Sequence, residues 1–161
     1  MTRIATSLED LPAPAELLSM SGLAFMQGML DGTLPGPPIA ETMGYALHSV
    51  GDGTVTFRGT PEFKVCNPMG TVHGGWYGTL LDSAMACAVM TKVPRGSVYT
   101  TLEYKINITR AIPPGMLIEC IGTVEHSGRS TGVANGTLRG VEDGKLYATG
   151  STTCIIMKMA D

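Results

Sequence analysis

The sequence is poor in charged side chains, which make up 16% of its 161 residues, against about 25% in a typical globular chain. It contains no basic run and carries a net charge of −3, which argues against nucleic acid as a partner. No apolar stretch approaches the roughly 18 residues that span a bilayer. Because the N-terminus also lacks the apolar core of a signal peptide, we expect a cytoplasmic protein without a membrane partner.

Paired cysteines and clustered histidines are also lacking. The four cysteines are far apart, no Cys-x-x-Cys occurs, and the three histidines are scattered. We therefore interpret the cysteines as reduced core residues, and we predict neither a metal site nor a disulfide. The cysteines are Cys66, Cys87, Cys120 and Cys154.

The length predicts a single domain with a substantial core. We expect residues 1–20 to be a loose segment and residues 21–161 to form the domain. Ser21 is a suitable cap for a helix over 22–31, which Gly32 would end. The proline-rich stretch 34–38 is typical of a stiff linker.

Further along the chain, β-prone segments alternate with turn signals such as Gly51-Asp52-Gly53 and Asp143-Gly144. Strict alternation in 100–108 predicts a half-buried antiparallel strand. Six strands are expected, at 42–50, 54–65, 100–108, 116–125, 131–141 and 146–157. With one long helix between the second and third, they predict an α+β fold in which a curved antiparallel sheet wraps around the helix.

That helix, predicted over 75–90, is apolar almost all the way round, which is typical of a buried helix. Asp82 lies in its middle. A buried carboxylate is costly unless it is paired, hydrogen-bonded or in contact with water. Asp82 is therefore either a satisfied structural residue or a functional one.

The residues His73-Gly74-Gly75 lie where the helix begins. The first N–H groups of a helix have no internal partners, and glycine lets a ligand approach them closely. They form a donor site suited to an anion or a developing oxyanion. The alternatives are a tight turn that needs glycine and a histidine that only caps it.

Gly74 and Asp82 cannot act on one carbonyl within one chain, because eight helical residues separate them by about 12 Å. If both serve one reaction, the carboxylate must come from a second copy. The spacing therefore predicts a dimer with shared sites.

The pattern as a whole resembles the PaaI-like (phenylacetate-pathway-like) branch of the hotdog-fold acyl-CoA thioesterases, over about residues 21–157. The residues that carry the resemblance are Asn67-x-x-Gly70-x-x-His73-Gly74-Gly75 and then Leu80-Leu81-Asp82. It implies a hotdog fold with an extra N-terminal helix, an acyl-CoA substrate and no separate cofactor. It also implies a homodimer, which in this family often pairs into a homotetramer.

The resemblance assigns roles to individual residues. Gly74 N–H would polarise the thioester carbonyl, and Asp82 of the partner would act as base or nucleophile. Asn67 and His73 would orient the carbonyl or the water, and Thr101 would help to place the water. The substrate would also contact Gly75, Thr100, Gly128, Arg129 and Ser130.

Two other functions remain open from the sequence. A hotdog module could bind acyl-CoA without turnover, although it would not need the carboxylate of Asp82. A hotdog hydratase or dehydratase would need a differently spaced His and acidic residue, which we do not find. The acyl group that the protein prefers is not predicted.

Overall fold

The computed structural model describes residues 3–159. Within them a long helix, α4, follows three shorter helices and two strands along the chain. The helices are α1 (Pro14–Ser19), α2 (Gly22–Asp31), α3 (Pro38–Met43) and α4 (Gly74–Met90), with 3-10 turns at Leu8–Asp10 and Phe63–Val65. Over the same described range, no helix is long and apolar enough to cross a membrane.

Six strands form one antiparallel sheet in the order β1-β2-β4-β5-β6-β3. This arrangement around α4 confirms the predicted α+β hotdog fold, and three N-terminal helices precede β1 where one was expected. The strands are β1 (Tyr45–Gly51), β2 (Thr54–Gly59), β3 (Ser97–Ile108), β4 (Ile118–Ser127), β5 (Thr131–Gly140) and β6 (Leu146–Lys158).

The core is built around α4. Ten of the 17 residues of this helix are buried. The indole N–H of Trp76 donates to the carbonyl of Met43 at 2.8 Å, so even the polar atom of this buried ring is satisfied. The sheet approaches α4 closely at glycines. A side chain at Gly122 would overlap the backbone of Ala84, and one at Gly136 would overlap Leu81 and Met85.

The N-terminal segment differs from the loose one that we expected for 1–20. Ile4 forms a parallel bridge with Gly36, the N–H of Ala5 donates to Gly36 O, and Gly36 N–H donates to Arg3 O. Ala5 is buried, and helix α1 follows. The backbone of Gly36 therefore pairs residues 3–5 with the domain; residues 1 and 2 lie outside the described range.

The proline-rich stretch is also not a plain linker, because it leads into helix α3. Pro38 stands at the first helical position, where proline needs no N–H partner. Gly44, with φ of 72°, ends this helix, so β1 begins at Tyr45 and not at 42. Strand β2 ends at Gly59, two residues before Pro61, and the remainder of the predicted 54–65 strand contains a 3-10 turn.

Strand β3 is antiparallel as predicted, but it is not half-buried in the single chain. It lies at the edge of the sheet, and Leu102, Tyr104 and Ile108 are 59%, 47% and 47% exposed. A register shift between Thr101 and Glu103 interrupts the alternation. A long apolar strand with an unpaired edge is a template for pairing with another chain.

We predict that Gly122→Ala will destabilise the fold by about 1–3 kcal/mol, the usual cost of overpacking. The added Cβ would meet the backbone of Ala84, which cannot move aside as a side chain can. Urea unfolding at one protein concentration measures the change. Gly51→Ala is the matched strand control, because its nearest neighbour is Thr54 O at 3.8 Å. Equal losses in the two variants would contradict the close helix–sheet approach.

Candidate active site

Asp82 occupies a pocket at the edge of the sheet, where α4 passes strand β3. The hydroxyl of Thr101 donates to Asp82 Oδ1 at 3.0 Å. The carboxylate is partly buried. The pocket around it is lined by Asp82, Ser83, Ala86, Cys87, Tyr99, Thr100 and Thr101. The structure thus brings together three of the predicted site residues: Asp82, Thr100 and Thr101.

Burial raises the pKa of Asp82, and the hydrogen bond from Thr101 partly offsets this by stabilising the charged form. A raised pKa makes a carboxylate a better proton acceptor near neutral pH. Burial also raises the pKa of Cys87 to about 12, and the charge of Asp82 adds to the effect. The thiol beside the carboxylate is therefore neutral, and it is not an activated nucleophile.

Backbone N–H groups at the start of α4 bond to His73. The N–H of Gly75 donates to His73 Nδ1 at 2.8 Å, and the N–H of Trp76 donates to His73 O at 2.9 Å. Within residues 3–159, the Gly74 N–H makes no hydrogen bond. His73 is thus the helix cap, and its imidazole accepts the hydrogen bond of the Gly75 N–H, so that any substrate contact of Gly75 stays a prediction.

Asn67 organises the loop that leads to the helix. Its side-chain oxygen accepts the N–H groups of Met69 and Thr71, and its amide nitrogen donates to Thr71 Oγ1 at 2.8 Å. Gly70, with φ of 78°, makes this turn possible. Within the described residues, the hydrogen bonds of the Asn67 side chain are made inside its own loop, so its predicted role toward a carbonyl or water stays a prediction.

The Gly128-Arg129-Ser130 loop joins β4 to β5 at the same end of the sheet as Asp82. The N–H of Ile156 donates to Ser130 O. Thr131 pairs with Ile155, which in turn pairs with Thr100. Two strand spacings, about 10 Å, therefore separate the start of β5 from Thr100. Arg129 is exposed.

The predicted residues therefore form two groups in one chain. One contains Asp82, Thr100 and Thr101, with the 128–130 loop nearby. The other, at the helix start, contains Asn67, His73, Gly74 and Gly75. The two groups lie along α4 about 12 Å apart by the rise of the helix.

Sequence reasoning missed several residues that surround these groups. Ser83 and Cys87 line the carboxylate pocket with Tyr99. Ser83 and Cys87 are four residues apart, so they lie on one face of α4, and Ser83 directly follows Asp82. This spacing is the sequence signal that could have identified them. Lys64 lines a second pocket at the helix start, with Cys66, His73 and Gly75. Lys64 has no such signal in the sequence, because it precedes the motif, in the Phe63–Val65 3-10 turn that the sequence pattern assigns to a strand.

Comparison with known proteins identifies the class. The model of the thioesterase superfamily matches residues 69–147. A putative thioesterase from Ralstonia eutropha JMP134, described as a phenylacetic acid degradation-related protein, is 30% identical. The match covers 81% of this chain and 98% of that one, with a TM-score of 0.74. A conserved protein from Pseudomonas aeruginosa is 31% identical, with 74% and 94% covered and a TM-score of 0.69.

A hypothetical thioesterase from Streptococcus pneumoniae, solved with coenzyme A, shares the fold. It is 24% identical, with 73% of this chain and 89% of that chain covered and a TM-score of 0.65. No curated protein matches the chain. Fold and matches together define a hotdog-fold thioester hydrolase. The chain belongs to the thioesterase superfamily, and within it to the PaaI-like branch, as its motif predicted.

We predict that Thr101→Val will move the acid limb of the kcat/KM profile to higher pH. Removing the hydroxyl removes the hydrogen bond that lowers the pKa of Asp82, so that pKa rises further and the carboxylate is protonated at a higher pH. The profile of kcat/KM reports the free enzyme. Thr100→Val is the control, since Thr100 lines the same pocket and the hydroxyl bonded to Asp82 is that of Thr101. An unmoved limb in Thr101→Val would contradict this account.

Proposed function

We propose that the protein hydrolyses acyl-CoA to a free acid and CoA in sites shared between two chains. Water adds to the thioester carbonyl, the C–S bond breaks, and CoA leaves as a thiol. The observation that carries this proposal is the partly buried Asp82 carboxylate, held by Thr101 in a pocket at the sheet edge. Coenzyme A in the related structure from Streptococcus pneumoniae supports CoA as the thiol.

The carbonyl oxygen would bind at the start of α4. The N–H of Gly74 belongs to the first residue at the positive end of the helix and makes no hydrogen bond within residues 3–159. A hydrogen bond from this group grows stronger as negative charge develops on the oxygen, which lowers the barrier selectively. By capping Gly75, His73 fixes the direction of the first helical turn and therefore of this donor.

Asp82 of the second chain would then act on the carbonyl carbon. It either takes a proton from the attacking water or attacks the carbonyl itself and forms an anhydride that water opens. Both routes need the ionised carboxylate. The Thr101 hydroxyl favours that form and fixes one carboxylate oxygen, which leaves the other free for the reaction.

The edge of β3 supports the shared site. Ile108 lies beside Gly74, and Thr101 contacts Asp82. The C-terminal end of β3 is therefore next to the donor at the helix start, and an earlier part of β3 is next to the carboxylate. If two β3 edges pair antiparallel around a two-fold axis midway between residues 101 and 108, Thr101 of one chain faces Ile108 of the other. This pairing sets each helix start beside the other chain's carboxylate, and it gives two equal sites. It also covers the exposed apolar side chains of β3.

The CoA part would extend toward the β4–β5 loop. Arg129 is exposed there, and a guanidinium offers paired donors to phosphate. The loop is two strands from Thr100, near enough for one extended ligand to contact both. In this proposal Gly128 and Ser130 support the loop backbone, and Arg129 makes the charged contact. The homodimer is the unit of this proposal, and the homotetramer stays a prediction.

We predict that Asp82→Asn will lower turnover of the best acyl-CoA by at least about a hundredfold, the usual scale of acid–base catalysis. Asparagine has nearly the same shape but cannot accept the proton or form the anhydride. The measurement is the release of free thiol over a panel of short, medium, long and aryl acyl-CoAs. Circular dichroism and the melting temperature are the folding controls. Near wild-type turnover in folded Asp82→Asn would reject the assignment, and no thiol release by the wild type would reject acyl-CoA as the substrate.

A further inference from the structure

A second cavity lies behind the carboxylate pocket, between α4, the first two strands and the N-terminal segment. It is partly open and measures about 50 Å³. Its walls are almost wholly apolar. They are formed by Ile4, Met29, Gly36, Pro37, Ala40, Ala46, Leu47, Phe57, Ser83 and Cys87.

The few polar groups of this cavity need no ligand. The Ser83 hydroxyl is bonded to Tyr45 OH at 2.8 Å. The Cys87 thiol is neutral, because burial raises its pKa to about 12. A cavity without polar partners does not hold ordered water well and favours an apolar occupant.

The cavity adjoins the reacting carboxylate. Ser83 and Cys87 line both the cavity and the pocket around Asp82, and Ser83 is the next residue after Asp82 in α4. The small side chains of Ser83 and Cys87 therefore lie between the carboxylate pocket and the cavity.

The far wall is a feature of the N-terminal segment. Ile4, Met29, Gly36, Pro37 and Ala40 all precede the region that matches the superfamily model, residues 69–147. The backbone bonds between residues 3–5 and Gly36 hold this wall in place. The wall therefore closes the cavity at a fixed depth.

We infer that this cavity is the acyl-tail subsite and that the N-terminal wall restricts the enzyme to short, apolar acyl groups. The inference rests on the proposed acyl-CoA hydrolysis. A cavity of roughly 150 Å³ holds benzene with its six heavy atoms, so this cavity of about 50 Å³ accepts about two heavy atoms beyond the carbonyl. The favoured substrates are then saturated acyl-CoAs of about three or four carbons. Longer chains meet the wall, and tails with a carboxylate or hydroxyl lose hydration without gaining a partner.

The test is kcat/KM for saturated acyl-CoAs from two to sixteen carbons, with succinyl-CoA as the polar-tailed member. Wild-type kcat/KM should peak near propanoyl- and butanoyl-CoA and fall at least about tenfold at dodecanoyl-CoA and at succinyl-CoA, the scale at which a pocket rejects a misfit. Met29→Ala removes three heavy atoms from the wall and should shift the optimum about three carbons longer.

Met26→Ala is the matched control. Met26 is on the same helix, is fully buried and loses the same atoms, but it does not line the cavity. Its chain-length profile should match the wild type. The larger side chain in Ala40→Leu should fill part of the cavity and shift the optimal acyl chain length to shorter chains. This variant keeps the inference testable if Met29→Ala does not fold.

Binding separates this inference from the proposed function. The dissociation constants of the same acyl-CoAs can be measured by calorimetry in the Asp82→Asn background, where hydrolysis is slow. A length optimum in binding that Met29→Ala lengthens and Met26→Ala leaves unchanged supports the subsite, even if the wild type releases no thiol. Equal profiles in Met29→Ala, Met26→Ala and wild type would overturn the subsite, even if thiol release establishes the thioesterase.

Discussion

The burial of α4 inside the curved sheet is the constraint on which the rest of the molecule depends. An apolar helix must be covered on all sides, and glycines such as Gly122 and Gly136 let the strands come close enough to do so. Packing fixes the helix along β3, with Gly74 beside Ile108 and Asp82 beside Thr101. The donor and the carboxylate are thereby held about 12 Å apart on one rigid element. That separation is why the proposed chemistry needs a second chain.

The elements that the sequence predicted correctly are those with strong local signals. The uniform apolarity of 75–90 gave the long buried helix, and turn signals such as Asp143-Gly144 bounded the later strands. Near the active site, Thr101 was assigned through the resemblance, and it does contact Asp82. The sequence is compatible with His73 as a helix cap or as a functional residue. In the structure its imidazole caps the helix.

The features that the sequence did not predict depend on contacts between distant residues. Nothing local in residues 3–5 indicates that they pair with Gly36. Pro37 and Pro38 suggest a linker, but proline at the first position also suits a helix such as α3. The alternation in β3 predicts a buried face, yet within the described residues β3 lies at the edge of the sheet with β6 as its one neighbouring strand. The hydrogen bond from the Gly75 N–H to His73 Nδ1 depends on the rotamer of the His73 side chain, and no local sequence pattern predicts that rotamer.

The shared site is tested most directly by complementation between two inactive chains. Asp82→Asn disables the carboxylate. Gly74→Pro removes the donor N–H at the first helical position, and the extended backbone of His73 accommodates proline there. Unfolded together and refolded, half of the dimers are mixed, and each mixed dimer has one intact site. About a quarter of wild-type thiol release should therefore return by this symmetry argument. If mass spectrometry detects mixed dimers and the mixture stays inactive, the two residues do not form a site across the chains.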